Sequence, residues 1–276
     1  MDKQKWNVSV PRRMFNSHVH AKVNAYFDLI DQALDAEITA AQAKFKKPGA
    51  TTPNSATSIQ LDQDRLRLKL YAFATIAVEN DKFQCSDEDI SSFNTLDVFP
   101  AKFYKSIGYV RPVSLPTLQP LHGVPSTPWR FGEFNLTRPF GRYDDRHPLG
   151  NHAEGMGERY KGRGFIQLTG LANYTLYSRL AGIPGLATHP ELASKPENAA
   201  RILASYILHN QSRILDALNK RDFIAARRVV NGKKALGWER LAAAYEQGER
   251  ALQPATAPRT KAPAVLAPNV LPTRLP

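Results

Sequence analysis

The stretch LDQDRLRLKLYAFATIAVE, residues 61–79, is polar in its first half and then runs through apolar residues to a terminal carboxylate. Leu66, Leu70, Phe73, Ile76 and Ala77 recur at helical spacing, which predicts a helix from about Leu61 to Glu79. A second periodic stretch precedes it. In HAKVNAYFDLIDQALDAEITAAQAKF, from about His20 to Phe45, Val23, Phe27, Ile30 and Leu34 fall on one face, with Asp and Lys on the other. Pro48-Gly49 stops that helix, and the polar run TTPNSATS reads as a loop.

Working outward, residues 1–17 read as an irregular N-terminal arm. Between residues 89 and 140, Pro100, Pro112, Pro116, Pro120, Pro125, Pro128 and Pro139 break any long helix or central strand. This segment reads as a long ordered loop or insertion with one short helix, from about Ala101 to Ser106. Helical patterns return from Leu171 in LANYTLYSRLAG, PENAARILASYILHN, RDFIAARRVV and LGWERLAAAYEQGERAL, separated by turns such as Gly182-Ile183-Pro184-Gly185 and Asn231-Gly232. After about Leu252 the chain holds six prolines and favours extended conformations over a core of its own. The expected division is an arm at 1–17, one domain at 18–252 with an insertion at 89–140, and a Pro/Ala-rich docking tail at 253–276.

Composition narrows the function classes. The chain has 276 residues, 42% of them hydrophobic and 22% charged, with a formal net charge of +12. That apolar content is too high for wholesale disorder, and no apolar run reaches the roughly 18–20 residues that span a bilayer. The start, MDKQKWNVSVPRRMF, lacks an apolar signal-peptide core, so synthesis in the cytoplasm without a secretory signal is expected. The single cysteine, Cys85, excludes an intrachain disulfide framework and a cysteine-built zinc site. Charge is unevenly spread: residues 60–95 carry four basic and seven acidic side chains, whereas 101–170 carry ten basic and five acidic. An acidic stretch inside a basic chain is a poor groove for phosphates, so no nucleic-acid partner is expected.

Three features could carry chemistry. Glu79 ends an apolar stripe, sharing a face with Ile76 and Phe73, and a partly desolvated carboxyl suits a general acid. Nine residues on lies Glu88, in Ser86-Asp87-Glu88-Asp89. If the helix ends near Asn80 and the chain turns back, this carboxylate faces the first. A separation of roughly 6.5–9.5 Å would leave room for a water and mean inverting glycoside hydrolysis, whereas roughly 5 Å would mean retention. The same acidic run also reads as a helix N-cap. The third feature is Tyr160-Lys161-Gly162-Arg163-Gly164-Phe165-Ile166-Gln167-Leu168-Thr169-Gly170. Extended, it would be a short strand with Ile166 and Leu168 on a buried face and Gln167 and Thr169 presented to a cleft. Its GxG does not open a GxGxxG helix and is no dinucleotide fingerprint.

Other chemistries fit less well. His18 and His20, and His147 and His152, lack a third ligand, so no metal and no cofactor are expected. Cys85 has no histidine placed to activate it, and no GxSxG elbow is present. Tyr104, Tyr109, Trp129, Phe131 and Phe134 in the insertion are placed to pack the loop down or to stack on sugar rings.

Taken in order, these pieces resemble glycoside hydrolase family 19, the family of chitinases and related phage and bacterial lysozyme-like endolysins. The matching stretches are Ala74-Thr75-Ile76-Ala77-Val78-Glu79 with Phe83 and Glu88 following; Leu149-Gly150-Asn151; Glu158-Arg159 leading into the run from Tyr160 to Gly170; Asn173-Tyr174; and Val230-Asn231-Gly232 followed by Arg240. They cover about residues 60–250. The resemblance implies a mainly α, two-lobed lysozyme-like fold with a central cleft, and single-displacement hydrolysis of β-1,4 links between N-acetylated sugars. It makes Glu79 the general acid and Glu88 the base, with Tyr160, Gln167, Thr169, Asn173, Asn231 and Arg240 binding substrate; Arg240 resembles the arginine that organises the carboxylates. The chain departs from the family pattern at Val78, which stands where His is usual, and at Asn80-Asp81-Lys82, which stands where Ser/Thr-Gly-Gly is usual. Asp81 and Asp87 are therefore alternatives to Glu88 as base.

The leading expectation is a monomeric peptidoglycan glycosidase of muramidase type, an endolysin or antibacterial effector. It would reach the wall through phage lysis or contact-dependent secretion and be held there by its positive charge. A chitinase with the same residues is the runner-up. The reading from another class is a non-catalytic protein that binds cell wall or nucleic acid.

Overall fold

In the computed structural model, the described residues are 6–45, 55–80, 83–85, 87, 109–110, 119–120, 130–131, 134–135, 143, 147–153 and 155–253. The expected helix at 101–106, Glu88, Asp81, the side chains of the insertion aromatics and the tail beyond 253 lie outside them. The described part is mainly helical, with α1 Ser9–Met14, α2 His20–Phe45, α3 Ser55–Glu79, α4 Met156–Arg159, α5 Leu171–Leu180, α6 Pro196–His209, α7 Gln211–Asn219, α8 Phe223–Asn231 and α9 Trp238–Leu252. Within the insertion, Tyr109–Val110 pairs antiparallel with Gln119–Pro120, and Arg130–Phe131 with Phe134–Asn135. None of the described helices is long and apolar enough to cross a membrane.

Helix α3 is the axis of the fold. The spacing predicts an amphipathic helix, yet every residue from Leu68 to Ile76 is buried, including Lys69 and Thr75. A helix that is apolar all round belongs inside, and α3 is enclosed by α1, α2, α6, α7 and α9. Helix α9 approaches closely because Gly248 lacks a side chain: a Cβ there would lie 2.5 Å from Leu70 and 2.9 Å from the Met14 sulfur. Helix α2 lies along α6 and buries Val23, Phe27, Ile30 and Leu34 as its periodicity predicts.

One expectation is revised. Residues 9–14 of the supposedly irregular arm form α1, which inserts Val10 and Met14 against α3 and α9. Six residues are too few to hold a helix alone, so packing holds this one. The run at 160–170, expected as a short strand or turn, forms a tight hairpin turn. Arg163 and Leu168 exchange both backbone hydrogen bonds, at 3.3 and 2.9 Å, around a four-residue loop. Gly164 and Gln167 bend it with φ of +73° and +52°. Gly164 also passes so near α6 and the turn before it that a Cβ would meet the Ala193 carbonyl oxygen at 2.7 Å and Ala199 Cβ at 3.1 Å. The outcome in burial still matches the alternation, with Ile166 and Leu168 inside and Gln167 and Thr169 half-buried.

Candidate active site at the end of the central helix

The chain leaves α3 immediately after Glu79. Asn80 brackets the exit: its side-chain oxygen accepts from the Gln84 amide at 3.1 Å, and its amide nitrogen donates to the Gln84 carbonyl. Phe83, at φ +47°, then plunges into the core against Phe73, Phe15, Tyr26 and Phe165. This aromatic anchor turns the backbone away from the helix axis and leaves the Glu79 carboxyl at the helix end.

That carboxyl meets a buried arginine. Arg227 Nη1 donates to Glu79 Oε1, with the two side chains 4% and 18% exposed. The same guanidinium donates through Nε to the Leu236 carbonyl at 2.6 Å. Arg227 is rigid because α8 is rigid. The buried Tyr71 of α3 and the half-buried Tyr206 of α6 donate to the Ala226 and Val229 carbonyls, each at 2.8 Å. Burial, and next to it the Glu79 carboxylate, pushes the Tyr206 phenol up to about 12. Burial likewise raises Tyr71. Both phenols therefore stay protonated donors in the ordinary pH range. Asp222 fixes the start of α8 by accepting from the Ala225 amide at 2.8 Å.

Around this pair the segment 231–240 is docked on the end of α3 from the other side. Asn231 Oδ1 accepts from the Leu236 amide at 2.7 Å. Gly237, at φ +80°, sits so close that a Cβ would lie 2.7 Å from Val78 Cγ1, so only glycine fits there. Arg240 donates to the Ala77 carbonyl at 2.9 Å. Glu79, Asn231 and Arg240 thus lie around the same end of α3. The carboxylate partner differs: Arg227 meets Glu79, while the exposed Arg240 caps a carbonyl of the last α3 turn.

The remaining site residues form a second group on the hairpin. Gln167 Nε2 donates to the Gly164 carbonyl, Thr169 Oγ1 to the Gln167 carbonyl and Asn173 Nδ2 to the Thr169 carbonyl, at 3.0, 2.9 and 2.8 Å. All three side chains are half-buried. Tyr160 faces inward instead. It is buried, rests on the Tyr174 ring and donates its hydroxyl to the Ala187 carbonyl at 3.0 Å, which makes it a packing residue. Asn151 of the Leu149-Gly150-Asn151 match is wholly buried and accepts from the Leu171 amide at 3.1 Å, at the start of α5.

Asp87 is a tether. Its Oδ2 lies 3.2 Å from Arg163 Nε and 3.6 Å from Lys161 Nζ, and its Oδ1 accepts from the Ser194 hydroxyl. Its backbone also bridges that of Arg163. With both oxygens engaged it is poorly placed to take a proton from water, which leaves Glu88 and Asp81 as the candidate bases. Cys85 donates to the Ser194 carbonyl at 3.0 Å. Burial, then the charges of Glu197 and Asp87, pushes its thiol up to about 12, so it is an unreactive thiol.

Arg227 is the residue that sequence reasoning missed. Its signal was present: Phe223, Ala226, Arg227 and Val230 recur at i, i+3, i+4 and i+7, so the arginine lies on the apolar face of its helix. An arginine at such a position needs a buried partner.

No protein-family model matches the chain, and no curated protein matches it.

Proposed function

We propose that this protein is a peptidoglycan-degrading glycosidase of muramidase type, working by single displacement on a helical fold of the two-lobed lysozyme kind. One observation carries the reading: Glu79 ends a helix buried from Leu68 to Ile76, with one oxygen held by Arg227 and the carboxyl still partly open to solvent. In this reading the solvent-open oxygen of the oriented carboxyl is the one that delivers a proton to the leaving glycosidic oxygen. Glu88, or Asp81, takes the proton of a water that attacks the anomeric carbon from the opposite face. The carbon–oxygen bond to the leaving sugar breaks as the bond to water forms, with inversion at that carbon. Gln167 and Thr169 at the hairpin and Asn173 at the start of α5 supply amides and a hydroxyl to the sugar hydroxyls and acetamido groups. The net charge of +12 holds the enzyme on a polyanionic wall and makes its action salt-dependent.

The test is digestion of purified peptidoglycan and of chitin side by side, with mass spectrometry of the new reducing ends. New muramic-acid reducing ends, released first as the inverted anomer, are the expected result. Products ending only in glucosamine, or no cleavage of either polymer, would overturn the proposal.

A further inference from the structure

Beyond the catalytic carboxyl, the segment 228–240 combines features that its packing does not use. Arg227 points inward, and Arg228, one residue on, is exposed. Lys233, Lys234 and Arg240 are exposed as well, and Glu239 is the only acid between residues 223 and 245. Among the described residues, Arg228, Lys233 and Lys234 make no ion pair. In the same segment Leu236 is 62% and Trp238 36% exposed, two of the few large apolar side chains left in solvent. These groups do not sit on a loose loop. Ala235 is buried at φ +48°, and the segment is fastened through Asn231, the Arg227 guanidinium, the Val78 contact and the Ala77 carbonyl. One edge of that guanidinium holds the Leu236 carbonyl and another holds Glu79, so a single side chain ties this segment to the carboxyl.

We propose that residues 228–240 form the substrate-recognition edge of this site, and that they select a glycan carrying peptide carboxylates over a neutral one. The inference rests on that glycosidase reading and names the residues that would select its peptidoglycan substrate over chitin. A neutral chain of N-acetylated sugars gives unpaired cations no counter-charge, and they only repel one another beside it. A wall glycan brings carboxylates at each peptide-bearing sugar, which Arg228, Lys233 and Lys234 can meet at the rim. Trp238 and Leu236 offer a flat apolar surface to the sugar ring between them. Rim charges of this kind act on association and on discrimination more than on raw affinity.

The test is co-sedimentation of the full chain on ice, before appreciable turnover. The probes are purified sacculi stripped of phosphodiester polymers, chitin particles and a duplex DNA. The Lys233→Ser/Lys234→Ser variant is expected to bind stripped sacculi about tenfold more weakly and with a flatter salt dependence. Arg12→Ser/Arg13→Ser removes the same charge from α1, at the far end of α9, and is expected to bind within about twofold of the parent. Trp238→Ala is expected to weaken binding several-fold at all salt concentrations. Equal losses in the two double variants would mean that net charge is responsible and would overturn the proposal. So would a loss of the same size on chitin or on DNA, or a loss seen only when phosphodiester polymers are present. Turnover of the parent on each polymer is read separately. Failure to cleave either one counts against the glycosidase reading, while the binding contrast still decides the rim.

Discussion

Helix α3 carries two cation–carboxylate clusters, one in its middle and one at its C-terminal end, and the two are built differently. In the middle, Lys69 is 7% exposed and lies 2.6 Å from Asp31 and 2.7 Å from Asp35 of α2. Arg65 also bonds Asp35, Trp6 donates to Asp31, and the Lys69 ammonium lies over the Trp6 ring. That cluster is saturated: each carboxylate meets more than one donor, and the group joins α2 to α3. At its C-terminal end α3 stops, and Glu79 meets Arg227 as its only ion-pair partner among the described residues. Buried charge by itself therefore does not mark a site. What distinguishes the second cluster is a carboxyl at a chain terminus of the helix, fixed by one donor and open on one side.

The largest expected effect separates the clusters by activity. Glu79→Gln is expected to lower wall hydrolysis by roughly 10²–10⁴-fold, the usual weight of a general acid, while circular dichroism still reports a folded helical protein. Near-parental activity would show that the two clusters are functionally alike. Arg227→Met comes next, because it strips the donor from a buried carboxylate: unfolding free energy should fall by about 3–5 kcal/mol in urea titration. Arg227→Lys keeps the charge but loses the bond to Leu236, and should recover most of that loss. A Lys variant as unstable as the Met one would mean that the Leu236 tie, and not the ion pair, holds this end.

Lys69→Met is expected to cost less, about 1–3 kcal/mol, because Asp31 and Asp35 are partly solvated and Asp35 keeps Arg65. Hydrolysis at temperatures where the variant is folded should match the parent, and a selective loss of activity would erase the contrast. The smallest effect is a pH dependence. Tyr206 is raised from 10.0 to about 12 by burial and by Glu79. Its neutral phenol thus contributes stability that is fully present below about 10 and lost as pH climbs toward 12. Tyr206→Phe is expected to make that alkaline slope shallower without abolishing it, since burial also raises Tyr71, Tyr177 and Tyr245. An unchanged slope in urea titrations between these values would overturn the assignment of Tyr206.

The long elements were legible because periodicity reports burial directly. Helix α2 has the bounds its apolar spacing predicts, and the end of α3 at Glu79 is where the pattern stops. The start of α3 was not legible: Ser55, Thr57 and Ser58 extend it by polar residues that leave no apolar mark. Helix α1 was missed because six residues give too few turns for a period to emerge, and α7 because only Asn210 separates it from α6, with no glycine or proline to mark a new start. At the site, Glu79 stood out as a carboxylate ending an apolar run. Arg227 did not, although its place on the apolar face of α8 was visible. Tyr160 matched a motif, yet its burial and its bond to Ala187 come from a segment twenty-seven residues away.

The order of residues alone determined that the chain is helical where apolar spacing is helical. It also determined that Glu79 ends a buried stripe and that a basic chain surrounds an acidic stretch. Those are local properties, set by side-chain chemistry and by the period of the helix. Only the tertiary structure decided which arginine meets Glu79, that Asp87 is a tether, and that residues 231–240 fasten to the end of α3. Each of these depends on groups distant in sequence, such as Glu79 and Arg227 across 148 residues, brought together by packing around α3. Sequence spacing carries no information about such distances, because many chain paths satisfy the same local pattern and only the filled core selects one.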